Sequence, residues 1–258
     1  MVAPLLFITG ASSGIGQAMA LEWARRGGRL ALVARRGDEM RAWVAAQGWT
    51  PDRAAVYAAD ARDVAAMTAA GRDCIAAQGL PDVVIANAGI SVGVDMSVEA
   101  DLDVLRRVLE TNNVGMAATF QPFIAPMRAR GAGRLVGIAS VAGIRGLPGH
   151  AAYSLSKAGV ISFCESLRVE LRSSGVRVVT IAPGYVDTPL TQGNSYSMPF
   201  LMPADKFARQ ALDAIAAGVG LRVIPWQMGV LARVLRILPN WVYDRVLASR
   251  PRKARQPQ

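Results

Sequence analysis

Cysteine and histidine are scarce in this chain, and their scarcity excludes several classes of chemistry. The 258 residues contain two cysteines and one histidine. Cys74 and Cys164 lie far apart in apolar segments without metal-ligand spacing, which predicts two small core residues in a reducing compartment and no metal site. His150 alone excludes a His-rich metal centre and any mechanism that needs two imidazoles, so we expect a structural role for it.

Long hydrophobic runs are also lacking. No window offers the roughly 18 uninterrupted apolar residues of a membrane-spanning helix. The apolar start MVAPLLFITG has neither the basic flank nor the small-residue cleavage site of a signal peptide, and it runs directly into a glycine turn. We therefore interpret it as a buried strand and expect a cytoplasmic protein.

Acidic residues are nearly missing from the C-terminal part of the chain. The formal net charge is +10, and +7 of it falls between residues 222 and 258, where Asp244 is the single acidic residue. The basic residues there are Arg222, Arg233, Arg236, Arg245, Arg250, Arg252, Lys253 and Arg255. Nucleic-acid binding needs basic residues interleaved with aromatic ones on one face. These scattered arginines therefore predict no nucleic-acid partner.

Short apolar runs alternate along the chain with Ala-, Arg- and Leu-rich segments of helical periodicity. The runs are continuous rather than alternating, as strands buried on both faces should be. We predict strands at 5–9, 30–34, 54–60, 82–89, 134–140, 176–184 and 221–225. We predict helices that include 15–26, 62–78, 99–130, 151–172 and 204–217. Strands and helices in this order predict a single-domain α/β Rossmann fold with a doubly wound parallel sheet of about seven strands.

A glycine-rich turn follows the first predicted strand directly. Its sequence, GASSGIG, precedes a helical segment, so the backbone and the helix N-terminus are placed to hold a pyrophosphate. The residues assigned to this nucleotide site are Gly10, Ser12, Ser13, Gly14, Ile15 and Gly16. A tight turn without a ligand would use the same residues, so the spacing alone leaves that alternative open.

The end of the second predicted strand distinguishes the two nicotinamide dinucleotides. A carboxylate there would bind the ribose hydroxyls, whereas an arginine pairs with a 2′-phosphate. Arg35 and Arg36 stand at this place, which favours NADP(H). Asp38 and Glu39 follow slightly late and leave NAD(H) as the alternative, and one or both arginines would otherwise only solvate a loop.

Several motifs occur together in one order along the chain. They are TGASSGIG at 9–16, Asp60, NAG at 87–89, Asn112 in NNVG, Ser140, YSLSK at 153–157 and PGYVDT at 183–188. Together they resemble the short-chain dehydrogenase/reductase family over roughly Leu5 to Pro225. We therefore expect residues 1–225 to form the cofactor-binding and catalytic domain and residues 226–258 to be a basic extension of it.

The resemblance implies a catalytic set of Asn112, Ser140, Tyr153 and Lys157. A phenol with a pKa near ~10 is a poor acid or base until its anion is stabilised, and an ammonium one helical turn away would do this. Lys157 would also hold the nicotinamide ribose, Ser140 the substrate oxygen, and Asn112 a water of a proton relay. Asn113 is adjacent, but counting back from the glycine of NNVG selects Asn112.

The resemblance also implies cofactor contacts beyond the first turn. In addition to Tyr153 and Lys157, these contacts are Asp60, Asn87, Ala88, Gly89, Pro183, Gly184, Val186 and Thr188. The expected reaction is NADPH-dependent reduction of a ketone or aldehyde by a homo-oligomer, a dimer or a tetramer. The alternatives are an NAD(P)+-dependent alcohol or hydroxysteroid dehydrogenase, and a non-catalytic dinucleotide sensor on the same fold.

Two segments depart from the family pattern or vary within it. Residues 226–258 lack the glycine-rich, acidic final strand and instead predict an amphipathic helix that ends at Pro239, followed by a second short one. This tail would pack on its own domain or a partner subunit, lie on an anionic membrane, or cap the substrate pocket. In the variable segment, Met198, Phe200, Leu201 and Met202 favour an apolar, lipid-like substrate; a lid or a dimer contact is the alternative.

Overall fold

The structure of the protein is a computed structural model, and it describes residues 2–192, 194, 197–248 and 252–255. Seven strands form one parallel sheet in the order β3-β2-β1-β4-β5-β6-β9. They are β1 (Leu5–Thr9), β2 (Arg29–Ala34), β3 (Ala54–Ala58), β4 (Val83–Ala86), β5 (Gly133–Ile138), β6 (Val176–Pro183) and β9 (Leu221–Ile224). The predicted α/β fold with a seven-stranded parallel sheet is confirmed.

Helices cover both faces of this sheet. They are α1 (Gly14–Arg25), α2 (Gly37–Ala46), α3 (Val64–Gln78), α4 (Asp101–Leu109), α5 (Gly115–Arg130), α6 (Ala151–Glu170), α7 (Pro189–Gln192), α8 (Ala204–Ala217), α9 (Trp226–Ile237) and α10 (Asn240–Leu247). A small two-stranded ribbon joins β7 (Val186–Asp187) to β8 (Met202–Pro203). Among the residues that the structure describes, no helix is long and apolar enough to cross a membrane.

The strands are buried on both sides, which explains their continuous apolar sequences. Successive side chains of a strand point to opposite faces, so Leu6 and Ile8 of β1 enter one core and Leu5 and Phe7 enter the other. Cys74 and Cys164 are free thiols buried in the second core, as predicted. Polar chemistry is thereby left to the strand ends and the loops that follow them.

Two helical features differ from the sequence prediction. The segment after β2, outside the helices predicted above, is helix α2, and its first turn carries Asp38 and Glu39, where carboxylates interact favourably with the positive end of the helix dipole. The predicted helix over 99–130 begins at Asp101, and residues Glu110–Val114 within it form a π-helical turn. Such turns have one extra residue and change which side chains face a neighbouring helix.

The C-terminal helices pack on their own domain through one face. Met228, Gly229 and Ala232 of α9 are buried. The guanidinium of Arg145 donates hydrogen bonds to the carbonyls of Leu235 and Leu238, at the end of α9 where carbonyls lack helical partners. Helices occur where the tail sequence predicts them, whereas the boundary at residues 225 and 226 stays a prediction.

Candidate active site

The strand order places a cavity at the carboxyl edge of the sheet. From β1 the chain moves outward to β2 and β3, and then returns to β4 on the other side. Loops diverge at such a switch point and leave a crevice where α/β proteins bind ligands. A cavity of about 720 Å³ lies here.

Most of the predicted site residues line this one cavity. They are Gly10, Ser12, Ser13, Gly14, Ile15, Arg35, Arg36, Asp60, Asn87, Ala88, Gly89, Ser140, Tyr153, Lys157, Pro183, Gly184, Val186 and Thr188. Two predicted residues, Gly16 and Asn112, do not line it and lie behind its wall. The residues that sequence reasoning missed include Arg107, Thr111 and the α7 residues Pro189, Leu190 and Thr191, which belong to no motif.

The glycine turn is built so that backbone, rather than side chains, faces the cavity. Gly10 and Gly14 have φ values of 65° and 56°, in the left-handed region that favours glycine. Helix α1 begins at Gly14, so its free N–H groups lie at the cavity wall and favour an anion. A Cβ on Gly16 would lie 2.2 Å from the Gly10 carbonyl oxygen; this glycine therefore allows α1 to pack closely against β1.

Cationic side chains face the cavity at the end of β2, while the nearby carboxylates do not line it. Arg35 and Arg36 line the cavity, and Arg36 also forms a 3.0 Å ion pair with Glu39. The side chain of Asp38 is 99% exposed and pairs with Arg41 at 2.8 Å. The end of β2 therefore presents two arginines to the cavity, while Asp38 and Glu39 do not line it.

The ends of β3 and β4 supply the next part of the wall. Asn87 donates through Nδ2 to the carbonyl oxygens of Thr9 and Gly10, at 3.0 and 3.2 Å. It therefore fixes the end of β4 to the start of the glycine turn. The Arg62 guanidinium grips the Asp60 carboxylate, and that hydrogen bonding holds the pKa of Asp60 below its ordinary value. Asp60 is thus an anion over the whole neutral range.

Tyr153, Lys157 and Ser140 converge at the centre of the cavity. The Lys157 ammonium lies 5.8 Å from the centre of the Tyr153 ring and donates to the Ile138 carbonyl oxygen at 2.7 Å. Burial lowers the pKa of Lys157 to about 8. Burial also raises the pKa of Tyr153, and a hydrogen bond with Ser140 opposes that rise. The phenol is therefore protonated at neutral pH.

Asn112 lies behind Lys157 and connects the segments around it by hydrogen bonds. Its amide accepts from the N–H of Ile90 at 2.8 Å and donates to the Ile90 carbonyl oxygen and to Ser156 Oγ, at 3.0 and 2.9 Å. Gly89 is so close that an added Cβ would lie 3.1 Å from Asn112 Oδ1 and 3.4 Å from Lys157 Nζ. Asn112 therefore links the loop after β4 to the helix that carries Lys157.

Asn113 also reaches helix α6, although it does not lie at Gly89. Its Nδ2 donates to the Ser156 carbonyl oxygen at 2.8 Å. Two successive residues contact the same helix because they lie in the π-helical turn, where consecutive side chains are closer in direction than in an α-helix. Asn112, unlike Asn113, is also hydrogen-bonded to Ile90 beside Gly89; its assignment to the site stays a prediction.

The segment after β6 closes the cavity over the glycine turn. An added Cβ on Gly14 would lie 3.3 Å from the Thr188 side chain. Thr188 is buried, and its hydroxyl lies 3.4 Å from the Val186 carbonyl oxygen. Gly184 leaves room for Met228 of α9, whose Cγ would lie 2.7 Å from an added Cβ. The C-terminal extension therefore supports this part of the wall.

The apolar residues of the variable segment do not line the cavity. Met202 is buried in the core below β7, whereas Phe200 and Leu201 are exposed to solvent. Met198 accepts a weak contact from Asn194 through its sulfur at 3.7 Å. The structure thus gives this prediction no support, and the apolar residues that line the cavity include Ile90 and Val92 instead.

The donor set suits a nicotinamide dinucleotide. The cavity has free helix N–H groups and a pair of arginines at one end and a buried ammonium beside a phenol at the other. Among the described residues, no cluster of three or more His, Cys, Asp or Glu side chains could hold a metal ion.

Comparison with known proteins matches the same part of the chain. The family model for short chain dehydrogenases matches residues 5–198. An uncharacterized oxidoreductase of Myxococcus xanthus is 40% identical over 240 residues, covering 92% of this chain and 93% of the relative. The NAD(+)-dependent 2-dehydro-3-deoxy-L-rhamnonate dehydrogenase of a Sphingomonas species is 37% identical over 183 residues, 71% of this chain and 72% of that protein.

A solved structure extends the similarity to three dimensions. The crystal structure of a short-chain dehydrogenase from Streptomyces avermitilis aligns with a TM-score of 0.79 at 27% identity. The alignment covers 93% of this chain and 97% of that one. The uncovered 7% of the chain is shorter than residues 226–258, so the similarity includes at least part of the C-terminal extension as well as the sheet.

Proposed function

This chain belongs to the short-chain dehydrogenase family, and on that premise we propose that it reduces a ketone or aldehyde with NADPH. Membership makes it an oxidoreductase that depends on a nicotinamide dinucleotide; the direction, the dinucleotide and the substrate are our proposal. One observation carries it. Ser140, Tyr153 and Lys157 line the same cavity as the glycine turn, so an acid and an anion-binding loop share one space.

When bound, the dinucleotide would supply a hydride to the carbonyl carbon, and the protein would supply orientation and a proton. The Tyr153 hydroxyl gives its proton to the carbonyl oxygen as the carbon–oxygen double bond becomes single, and an alcohol results. Ser140, which is hydrogen-bonded to Tyr153, stabilises the same substrate carbonyl oxygen. Both donors act before the proton has fully moved, when negative charge is building on that oxygen.

The raised pKa of Tyr153 fits a proton donor at neutral pH. A proton donor has to be protonated before the reaction, and burial keeps this phenol protonated. Lys157 has a different part: its ammonium stabilises the phenolate left after the transfer and holds the nicotinamide ribose. Asn112 fixes the loop at Ile90 and the helix at Ser156, so we assign it the positioning of Lys157 and the relay that returns a proton to Tyr153.

We assign the dinucleotide to the remaining cavity residues. Its pyrophosphate would lie at the α1 N-terminus, against Gly10, Ser12, Ser13, Gly14 and Ile15, with Gly16 allowing the close packing behind. Arg35 and Arg36 would hold the 2′-phosphate of NADP(H), which is why we prefer it to NAD(H). The walls over the adenosine and nicotinamide halves would come from Asp60, Asn87, Ala88, Gly89, Pro183, Gly184, Val186 and Thr188.

We infer a moderately hydrophobic substrate, of acyl or other lipid-like character. Its support is the apolar surface that Ile90, Val92 and Leu190 contribute to the cavity that also contains Tyr153. Apolar pocket walls with a few polar groups favour substrates of matching polarity. Ser91 is a polar residue between Ile90 and Val92 in the same lining.

We also propose that the outward face of α9 and α10 contacts anionic membrane lipid. This apolar face consists of the exposed side chains Trp226, Val230, Leu231, Val234, Ile237, Trp241 and Val246. The exposed Arg233, Arg236 and Arg245 lie on the same two helices, as in helices that rest on anionic lipid. A second copy fits less well, because two-fold packing of this face would bring like charges together. Cytoplasmic location and a homo-oligomer stay predictions.

The substitution Tyr153→Phe tests the reaction. It removes the proton donor and keeps the ring, so we expect NADPH oxidation with a panel of keto-acyl, steroid, quinone and aldehyde substrates to fall by about a hundredfold or more. NADPH affinity, measured by fluorescence, should change little. Tyr57→Phe is the matched control, since that hydroxyl donates to Gln78 outside the cavity. Retention of near wild-type reduction by Tyr153→Phe would refute the assignment.

A further inference from the structure

The C-terminal residues 252–255 return to the substrate end of the cavity. This segment, which we call the strap, lies against the loop 90–95 that follows β4 and against the residues just before α6. Gly93 and Arg255 form a parallel β-bridge. The loop 90–95 supplies Ile90, Ser91 and Val92 to the cavity wall. The strap is therefore the outer layer of a wall whose inner layer faces Tyr153.

Two-point ion pairing fixes one end of the strap. Arg255 Nε and Nη2 donate to the two oxygens of Asp101, at 2.8 and 2.9 Å. The Asp101 side chain is only 5% exposed, and it also accepts from the N–H of Asp95 at 2.7 Å. Bidentate pairs of this kind are the strong and geometrically specific ones. One carboxylate thus holds the strap and the end of the loop together.

Further contacts attach the middle of the strap to the cavity wall. The Lys253 ammonium donates to Ser91 Oγ at 2.9 Å. Lys253 also lies close enough to His150 to lower the pKa of that imidazole, in addition to the larger effect of burial. The His150 ring lies 6.5 Å from the ring of Tyr153. The strap therefore contacts Ser91 of the cavity wall and lies near His150, a neighbour of the proton donor.

Two glycines make room for the strap, one on each loop. A Cβ on Gly93 would lie 2.3 Å from the Ala254 carbonyl oxygen and 2.5 Å from that of Lys253. A Cβ on Gly149 would lie 2.8 Å from the Lys253 nitrogen. These are backbone atoms, so a rotamer change cannot relieve the overlap. The loops 90–95 and 146–150 also bind each other, through the Val94 N–H and the Gly149 carbonyl oxygen at 3.1 Å.

We propose that the strap fixes the outer wall of the substrate end and restricts which carbonyl compounds reach Tyr153. This inference rests on the proposed function, because it assigns a role at that reaction's substrate site. Without the contacts of the strap, the loop 90–95 would move away from α6, and the cavity would become wider beside Ser91 and Val92. The strap residues are thus positioning residues for substrate selection; they take no part in the proton transfer.

Gly93→Ala in the full chain tests the proposal without altering the strap itself. Gly93 does not need a positive φ, so the added methyl acts only by colliding with the strap. Gly146→Ala is the matched control, because its Cβ would meet nothing within 4 Å. We expect Gly93→Ala to raise KM for a compact ketone such as cyclohexanone about fivefold or more, with kcat within about twofold. kcat/KM for bulky bicyclic ketones should rise, and NADPH affinity should not change.

Arg255→Gln is the second variant, because it removes the ion pair without adding volume. Arg209→Gln, which breaks an exposed ion pair with Asp205 on α8, controls for the lost charge and the lost pair. We expect Arg255→Gln to shift substrate range in the same direction as Gly93→Ala. The shift in substrate range of the double variant should be little larger than that of either single variant, because both substitutions release the same segment. Fully additive effects, or an unchanged substrate range in both single variants, would overturn the proposal.

Trypsin cleavage separates this inference from the proposed reaction. The strap contains trypsin cleavage sites at Arg252, Lys253 and Arg255. Mass spectrometry of brief digests measures the rate of cleavage at these sites, and the measurement needs no ketone substrate. Slow cleavage in the parent and fast cleavage in Gly93→Ala are the expected results. Equal rates in parent, variant and control would refute the docked strap even if the enzyme reduces ketones. Lack of reduction in the parent with normal strap protection would refute the proposed reaction instead.

Discussion

Arg35 is the residue on which the choice of dinucleotide depends most. It lines the cavity, and among the described residues no carboxylate is within ion-pair distance of its guanidinium. Arg36 is in a different situation, since Glu39 already neutralises it. Sequence reasoning treated the two arginines alike because adjacent positions give no information on pairing. The structure therefore distinguishes them, and Arg35 is the sharper target.

Replacing Arg35 with alanine should weaken NADPH specifically. Hydrogen bonds to charged groups contribute about 1.5–3 kcal/mol, so we expect kcat/KM with NADPH to fall by about tenfold to a hundredfold. The NADH value should stay within about twofold. Arg41→Ala serves as the control, because Arg41 pairs with the solvent-facing Asp38. The assignment is wrong if the parent enzyme prefers NADH or if Arg35→Ala weakens both dinucleotides equally.

The sequence predicted which polar residues meet at the site but not how they are charged. Ser140, Tyr153 and Lys157 converge as expected, because strand ends and the N-terminal part of a helix have fixed places in a parallel α/β fold. We expected Lys157 to favour the phenolate, whereas the net effect in the folded chain is a raised Tyr153 pKa with burial as the largest cause. Burial depends on tertiary packing around the phenol, which no spacing of two residues reveals.

At the scale of elements, the π-helical turn is the least predictable feature. Its sequence, ETNNV, has no composition that separates it from the α-helical residues on either side. Helix α2 was missed for a different reason, because its Gly-Asp-Glu start resembles a turn. The acidic first turn was the signal that would have found it. The central parts of the strands were predictable, because a short continuous apolar run is typical of a strand that is buried on both faces.

Helices α9 and α10 lead to a prediction about membranes. Ile237 and Trp241 are 80% and 73% exposed, so Ile237→Glu and Trp241→Glu should leave the fold intact while making the apolar face acidic. We expect wild type to co-sediment with vesicles that contain phosphatidylserine, less so at high salt, and both variants to stay in solution. Neutral phosphatidylcholine vesicles should bind weakly.

Val169→Glu is the control for these two variants. Val169 lies on α6 and is 65% exposed, so the same charge change occurs away from the apolar face. Its sedimentation with vesicles should match that of wild type. If the wild-type protein does not co-sediment with anionic vesicles, the lipid contact is ruled out. A wild type that instead dimerises, while Ile237→Glu stays monomeric, would assign the face to a second copy of the chain.

At the scale of the whole molecule, Lys157 links stability to pH. Burial lowers its pKa to about 8, against an ordinary value of 10.5. Between these values the unfolded chain binds the proton more readily, so this residue makes the free energy of unfolding rise with pH. Below about pH 8 both states are protonated and the full cost of the buried charge is present. Above about 10.5 both are neutral, and that cost is gone.

Urea unfolding of the dinucleotide-free protein at pH 7.5, 9 and 10.5 measures this link. Relative to Lys157→Met, wild type should gain stability across the series, by roughly 3 kcal/mol in total. Lys206→Met, at an exposed lysine, should follow wild type at each pH. A constant difference between wild type and Lys157→Met would show that Lys157 titrates normally in the folded state.

The overall arrangement was predictable where it depends on local order and not where distant residues meet. The tail sequence predicted amphipathic helices and left their partner open. The structure shows that their inner face packs on the parent domain, next to Gly184 and Arg145. No sequence pattern pairs Arg255 with Asp101, because 154 residues separate them. Such contacts follow only from the folded position of every element between them.

That separation also sets the order in which the parts of the site come into existence on the ribosome. The glycine turn, Arg35 and Asp60 are synthesised first, and Ser140, Tyr153 and Lys157 follow. Asp101 then stays without its arginine until residue 255 has been made. During synthesis, the residues that we assign to the dinucleotide are therefore all made before the arginine that secures the wall beside the assigned proton donor.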